Sequence, residues 1–202
     1  MFGSSSQSTA RPAPYRGAAA EIWRGIATLF LKAGGWRVLG DWPRDMPKMV
    51  LVAAPHTSNW DGVVMLAAAG YYRVPLQWMG KKELVEGPFG GLVRWAGCVP
   101  VDRSGKGDLV AETAAQMRAA ETMVLAVAPE GTRAKSKGWK TGFYYIAHAA
   151  GAPIMMSVLD WGAKRITVTG PVTPTGDFEA DLALIKAPYE GARGKYDDRV
   201  AR

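Results

Sequence analysis

The stretch MVLVAAPHTSNWDGV, residues 49–63, runs from an apolar segment through a proline into small polar residues. A short, unbroken apolar run of this kind is typical of a buried strand, and Pro55 disfavours helix at the residue before it. The polar residues TSN at 57–59 are good N-caps for a helix. We therefore predict a strand over Lys48 to Ala54, a bend, and a helix over Asp61 to Tyr72.

The rest of the chain repeats this alternation of strands and helices. Further strands are predicted at Met123 to Ala128, Ile154 to Leu159 and Ile166 to Thr169, with helices at Asp108 to Ala120 and Thr141 to Ala149. Strands interleaved with helices predict a single α/β domain, residues 48–185, with a mixed, largely parallel sheet flanked by helices. In such sheets, chemistry collects at the carboxyl ends of the strands.

Three segments flank this domain. Residues 1–16 are rich in Ser, Pro and Ala and are expected to be a disordered tail. Residues 17–47 form an amphipathic helical segment, with a helical pattern from Ala18 to Leu39 that is interrupted at Gly34-Gly35. The apolar stripe of this segment could pack on the core of the domain or rest on a lipid surface. We expect the second arrangement to associate the protein with a membrane. Residues 186–202 read as a polar, loose C-terminal tail.

Composition narrows the class of function. A net charge of +7 predicts attraction to nucleic acids, anionic lipid surfaces or phosphorylated substrates, and the eight tryptophans favour the membrane surface among these. A single cysteine, Cys98, excludes an intramolecular disulfide, and with only two histidines no metal site is expected. The charge-free stretch from Thr141 to Leu159 contains Gly151 and Pro153, so we interpret it as helix, turn and strand, not as a membrane-spanning helix.

His56 and Asp61 are the first candidates for chemistry. Five residues on an ideal helix rotate one side chain by roughly 140° from the other, so the pair can meet only if the chain bends between them. With that bend, the carboxylate could accept a hydrogen bond from one imidazole nitrogen and leave the other as a base. The alternative is structural, because Ser58-x-x-Asp61 resembles a capping box.

Two further turns carry candidate binding residues. Glu130-Gly131-Thr132-Arg133 follows an apolar strand, and its backbone N–H groups and arginine are suited to phosphate. Val99-Pro100-Val101-Asp102-Arg103 offers a second arginine. Each turn, judged alone, could also be a structural or solvated basic loop.

Together these residues resemble the motifs of a known family. His56-x4-Asp61, Val99 to Arg103, Glu130 to Arg133, and Ala152-Pro153-Ile154 occur in the order and spacing of the four motifs of the glycerolipid acyltransferases. The chain is similar to bacterial 1-acylglycerol-3-phosphate acyltransferases from about Met49 to Leu159. It departs from them at Pro55, at the bulky Trp60 and in the second motif, which is where its acceptor pocket is expected to differ.

The resemblance implies a role for each motif. His56 would be the general base that takes a proton from an acceptor hydroxyl, and Asp61 would hold its imidazole. The substrate-binding residues would be Arg103, Glu130, Gly131, Thr132 and Arg133, and Pro153 would contribute to the wall of the acyl site. Cys98 and His148 are expected to be structural or surface residues.

The expected function is transfer of a fatty acyl chain from acyl-CoA or acyl carrier protein to the hydroxyl of a lysophospholipid such as 1-acylglycerol-3-phosphate. No cofactor is implied beyond that acyl donor. The enzyme would be a peripheral membrane protein on the cytoplasmic face and would not bind nucleic acid. The alternatives are another hydroxylated lipid or a lyso-aminolipid as acceptor, or a non-catalytic lipid-binding protein.

Overall fold

The sheet consists of apolar central strands and shorter strands at its edges. A computed structural model describes residues 17–101, 108–135 and 138–200. The strands in these ranges are β1 Arg37–Leu39, β2 Lys48–Ala54, β3 Leu76–Lys81, β4 Cys98–Val101, β5 Met123–Val127, β6 Ile154–Asp160 and β7 Arg165–Val172. The helices are α1 Gly17–Ala33, α2 Asn59–Tyr72, α3 Lys82–Glu86, α4 Gly90–Trp95, α5 Leu109–Ala119, α6 Gly142–Ala150 and α7 Phe178–Lys186, with 3-10 turns at Ala187–Tyr189 and Asp197–Arg199.

The seven strands form one sheet in the order β1-β7-β6-β2-β5-β3-β4. Every neighbouring pair is parallel except β6 and β7, which are antiparallel. This confirms the α/β fold with a mixed, largely parallel sheet. Because β2 lies between β5 and β6 and runs parallel to both, the loops that follow these three strands leave the sheet at the same edge.

Helices cover both faces of the sheet. Val50 and Val52 of β2 pack with Met117 of α5, Phe143 of α6 and Ile185 of α7. Met49 and Leu51, which point the other way on the same strand, pack with Ala69 of α2. In a further hydrophobic cluster, α1 packs on α2 through Ala27, Leu31, Ala67 and Ala68.

Helix α1 presents most of its predicted apolar stripe outward. Its core-facing side is made of Ala20, Ala27 and Leu31, whereas Ile22, Ile26 and Leu29 are 65%, 55% and 70% exposed. The helical pattern predicted as far as Leu39 is wrong beyond Ala33. Gly35 has a φ of +73°, which ends the helix, and residues 37–39 then pair with β7 as a strand.

The stretch from Thr141 to Leu159 is α6, a turn and β6, as the sequence predicted. Gly151, with a φ of +63°, caps α6 in the left-handed conformation. Among the described residues, no helix is long and apolar enough to cross a bilayer.

The C-terminal segment, which we define as residues 187–200, is packed on the domain and not loose as predicted. The Tyr189 hydroxyl donates to the Val52 carbonyl at 2.8 Å, and the Tyr196 backbone N–H donates to Thr57 Oγ1 at 3.2 Å. These contacts could not be predicted from the polar composition of the segment, because they are made by backbone groups and two tyrosines and not by a run of hydrophobic side chains. The predicted disordered tail, residues 1–16, lies outside the described residues.

Candidate active site

The bend between β2 and α2 brings the predicted pair together. His56 Nδ1 lies 3.3 Å from Asp61 Oδ2. Ser58 is the N-cap of α2, in an extended conformation, and Asp61 is three residues further on, in the first turn. Asp61 therefore has both of the uses that the sequence suggested, since the same carboxylate caps the helix and contacts the imidazole.

The Asp61 carboxylate is buried and has donors on both oxygens. Oδ2 accepts from the backbone N–H groups of Thr57 at 2.6 Å and Ser58 at 2.7 Å. Oδ1 accepts from the Ser58 hydroxyl at 2.9 Å and from Trp161 Nε1 at 2.7 Å. Burial alone would raise the pKa of Asp61, but hydrogen bonds, first from His56 and then from Ser58 and Thr57, outweigh it and lower the pKa.

The His56 imidazole is held on one side and open on the other. A carboxylate beside Nδ1 favours the tautomer with its proton on that nitrogen, which leaves the Nε2 lone pair free to accept a proton. The side chain is 27% exposed, so solvent or a substrate can reach it, while that of Asp61 is 4% exposed. This is the arrangement that a general base requires.

Glu130 fixes the position of the His56 backbone. It follows β5, is buried, and accepts the His56 backbone N–H on Oε1 at 3.1 Å. Its other oxygen, Oε2, has no hydrogen-bond partner among the residues that the structure describes. Burial raises the pKa of Glu130, so two neighbouring carboxylates, Glu130 and Asp61, are shifted in opposite directions.

The rest of the third motif forms an exposed turn beside the pair. Arg133 is exposed and donates from Nη1 to Asn59 Oδ1, which ties the turn to the first residue of α2. Thr132 Oγ1 accepts from the Ala134 backbone N–H at 3.2 Å. Gly131 has a φ of +65°, a left-handed conformation that favours glycine, and a Cβ there would meet the Lys140 side chain.

Pro153 and Arg103 are the two other predicted site residues. Arg103 follows β4 in sequence but lies outside the described ranges. Pro153 precedes β6 at its amino end and accepts a backbone hydrogen bond from Val50 at 3.0 Å, whereas His56 follows the carboxyl end of β2. The expected contribution of Pro153 to a site wall therefore concerns the opposite edge of the sheet.

Sequence analysis missed the aromatic and basic residues around the pair. Trp161 follows β6 directly, and Lys195 of the C-terminal segment lies with its Nζ 4.5 Å from the Trp161 ring centroid and 5.5 Å from that of Trp60. The position of Trp161 just after a predicted strand was the only available signal. Nothing in the sequence indicated that Lys195 would return to this edge.

Among the described contacts, neither Cys98 nor His148 meets the His56–Asp61 pair. Cys98 is buried in β4, and burial raises the pKa of its thiol, which disfavours the reactive thiolate. His148 is exposed on α6, with its ring stacked on Tyr144. Within the described part of the chain, no three His, Cys, Asp or Glu side chains are grouped as metal ligands would be.

Residues 42–159 match the family model described as Acyltransferase. The chain belongs to the glycerolipid acyltransferase family. It is 30% identical over 176 residues, 84% of its length, to the "Probable 1-acyl-sn-glycerol-3-phosphate acyltransferase" of Mycoplasma pneumoniae. It is 32% identical over 122 residues to the 1-acyl-sn-glycerol-3-phosphate acyltransferase of Escherichia coli, which covers 57% of this chain. The matches span 62% and 48% of these two relatives, so the chain accounts for less than two thirds of their length.

A solved structure shows the same fold. The crystal structure of the 1-acyl-sn-glycerophosphate (LPA) acyltransferase PlsC from Thermotoga maritima superimposes with a TM-score of 0.58, covering 85% of this chain and 78% of that one. At 16% sequence identity this likeness concerns the fold alone. The residues matched by the family model, 42–159, include β2 and β5, the strands that precede His56 and Glu130, and this match confirms the resemblance that the motifs indicated.

Proposed function

We propose that this acyltransferase moves a fatty acyl chain from acyl-CoA or acyl carrier protein to the hydroxyl of a lysophospholipid, with 1-acylglycerol-3-phosphate as the acceptor to test first. The observation that carries the proposal is the His56–Asp61 contact of 3.3 Å at the carboxyl edge of the sheet, where the imidazole is 27% exposed. The names of the two relatives support the choice of acceptor.

The proposed reaction is a direct transfer. His56 Nε2 takes the proton of the acceptor hydroxyl as its oxygen attacks the thioester carbonyl carbon, which forms a tetrahedral oxyanion. Collapse of this intermediate breaks the carbon–sulfur bond, and the imidazolium returns its proton to the thiolate. Asp61 stabilises the imidazolium while it exists, and no acyl-enzyme and no cofactor are needed.

Arg133 is the described residue best placed to hold an acceptor phosphate. Its guanidinium is exposed and contacts the neutral Asn59, and no carboxylate of the described residues forms an ion pair with it. The planar fork of an arginine matches phosphate oxygens. We propose the same role for Arg103, and we propose that Glu130, Gly131 and Thr132 shape the turn that presents Arg133.

An acceptor screen tests the reaction and identifies the substrate. Purified protein is incubated with radiolabelled acyl-CoA or acyl carrier protein and a panel of 1-acylglycerol-3-phosphate, other lysophospholipids and a lyso-aminolipid, and the products are identified by mass spectrometry. We expect labelled diacyl product with the phosphate acceptor. Transfer to another lipid alone would replace the acceptor, and transfer to none, with lipid binding intact, would favour a non-catalytic lipid-binding protein.

We also propose that the protein binds peripherally to the cytoplasmic face of a membrane through the outer face of α1. The Trp23 and Trp95 rings meet at 6.3 Å, so α4 extends this surface with Leu92, which is 62% exposed. Exposed apolar residues on a helix in a basic chain are typical of interfacial anchors, and the net charge of +7 favours anionic lipids.

Sedimentation with vesicles of anionic phospholipid tests this attachment. Ile22→Glu and Ile26→Glu place a charge on the outer face of α1 and should reduce the bound fraction. Leu184→Glu is the matched control, because Leu184 is 61% exposed on α7, away from this surface. Equal binding by all three variants would show that α1 is not the anchor.

A further inference from the structure

The indole N–H of Trp161 reaches the Asp61 carboxylate from the far side of the site. The two residues are 100 positions apart, and Nε1 lies 2.7 Å from Oδ1. The other donors to Asp61, apart from His56 itself, are two backbone N–H groups and a hydroxyl from Thr57 and Ser58, in the same loop as His56. Among the described residues, Trp161 is thus the donor that connects Asp61 to the sheet.

We propose that Trp161 is a positioning residue for the general base, which acts by holding the Asp61 carboxylate in the rotation that directs Oδ2 at His56 Nδ1. This inference rests on the proposed function of His56. A carboxylate can rotate about its Cβ–Cγ bond. The other donor to Oδ1 is the rotatable Ser58 hydroxyl, so the indole N–H is the donor of fixed direction on that oxygen. Ser58 belongs to the same loop as His56, whereas Trp161 follows the end of β6, which is buried along its length.

Trp161 itself is held on several sides. Its backbone N–H donates to the Arg193 carbonyl at 2.9 Å, and its ring meets that of Trp36 edge-on at 4.9 Å. The Nζ atoms of Lys195 and Lys164 lie 4.5 and 4.6 Å from its ring centroid, within cation–π range. Trp36, just before β1, and the C-terminal segment therefore fix the direction in which the indole N–H points.

Loss of this N–H should affect turnover more than binding. When a hydrogen bond to a charged group orients a catalytic group, its loss is expected to lower the rate by about 10- to 100-fold. We expect Trp161→Phe to lower kcat by about this factor, with little change in KM for either substrate. A benzothiophene analogue of tryptophan at position 161 removes only the N–H, keeps the ring shape, and should reproduce the effect if the phenylalanine variant folds poorly.

Histidine nitrogen resonances give a readout that needs no substrate. The chain has two histidines, so selective ¹⁵N labelling yields two imidazoles, which His56→Ala assigns. In the wild type we expect His56 to have its proton mainly on Nδ1. In the Trp161 variants we expect a mixture of tautomers, with exposed His148 unchanged as the internal reference.

Trp78→Phe is the matched control, because Trp78 Nε1 donates to the Ala96 carbonyl at 2.9 Å, away from the pair. It should leave the His56 spectrum as in the wild type. The proposal is overturned if the Trp161 variants keep the wild-type tautomer and kcat, or if Trp78→Phe shifts His56 equally. A wild type that transfers no acyl group would refute the proposed function instead, and the spectra would still decide whether Trp161 positions the pair.

Discussion

Asp61→Asn preserves the shape of the side chain and removes its charge and one acceptor oxygen. The asparagine nitrogen is a donor and must take the place of one oxygen. At Oδ2 it would face two backbone N–H groups, at 2.6 and 2.7 Å, whereas at Oδ1 it would face Trp161 Nε1 at 2.7 Å and a Ser58 hydroxyl that can rotate. The second placement costs less, because only one fixed donor is left opposing it.

The cost in stability has two parts. One buried, opposed donor costs about 1–3 kcal/mol. The two backbone hydrogen bonds become neutral and lose about 1 kcal/mol each, since charge-assisted bonds are roughly twice as strong. Because the pKa of Asp61 is lowered despite its burial, relief of desolvation does not cancel this loss. We expect a total of about 3–5 kcal/mol, or a fall in Tm of roughly 6–20 °C for a chain of this size.

Thermal and urea unfolding measure this change. Asp177→Asn is the matched control, because Asp177 is an exposed N-cap of α7 and asparagine caps equally well. A folded-state pKa below the unfolded value means that the carboxylate stabilises the fold at neutral pH and that this contribution is lost as pH falls through the folded pKa. The loss of stability that Asp61→Asn causes should therefore become smaller below about pH 4. A Tm equal to that of the wild type at pH 7 would refute the hydrogen-bond account of Asp61.

Three further changes test other parts of the structure. Glu130→Gln should raise the free energy of unfolding at pH 7, because burial raises the pKa of Glu130 and makes its ionised form costly. This gain should vanish at about pH 4, where urea titrations measure it. A lower stability of the variant at pH 7 would contradict this prediction. Cys98→Ala should retain acyl transfer, whereas complete loss of activity in a folded variant would indicate that Cys98 is a nucleophile. Ending the chain at Lys186 removes the Tyr189 and Tyr196 anchors, so both Tm and acyl transfer should fall, and full retention of both would show that the C-terminal segment is dispensable.

The central strands could be predicted because burial on both faces leaves a continuous apolar run. For β2, β5 and β6 the predicted bounds agree with the observed ones within a residue. The strands β3 and β4 were missed, since β3 is only partly buried and β4, at the edge of the sheet, contains Pro100. Helix α4 was missed because it is short and begins with two glycines.

The proximity of the first and third motifs could likewise be predicted from the parallel order of their strands. His56 and Glu130 follow neighbouring parallel strands, so their meeting follows from topology. Trp161 and Lys195 could not be assigned in this way. Their contacts depend on the turn into antiparallel β7 and on the path of the C-terminal segment, which a polar, aperiodic sequence does not specify.

The proposed role of His56 as general base is tested by the initial rate of acyl transfer to 1-acylglycerol-3-phosphate. The rate of His56→Ala is measured beside those of the wild type and His148→Ala. His148 is exposed on α6, so His148→Ala controls for the loss of a histidine elsewhere. We expect a fall in kcat of about 10²- to 10⁴-fold for His56→Ala, because a general base is lost, and no change for His148→Ala. A folded His56→Ala protein with the wild-type rate would contradict it.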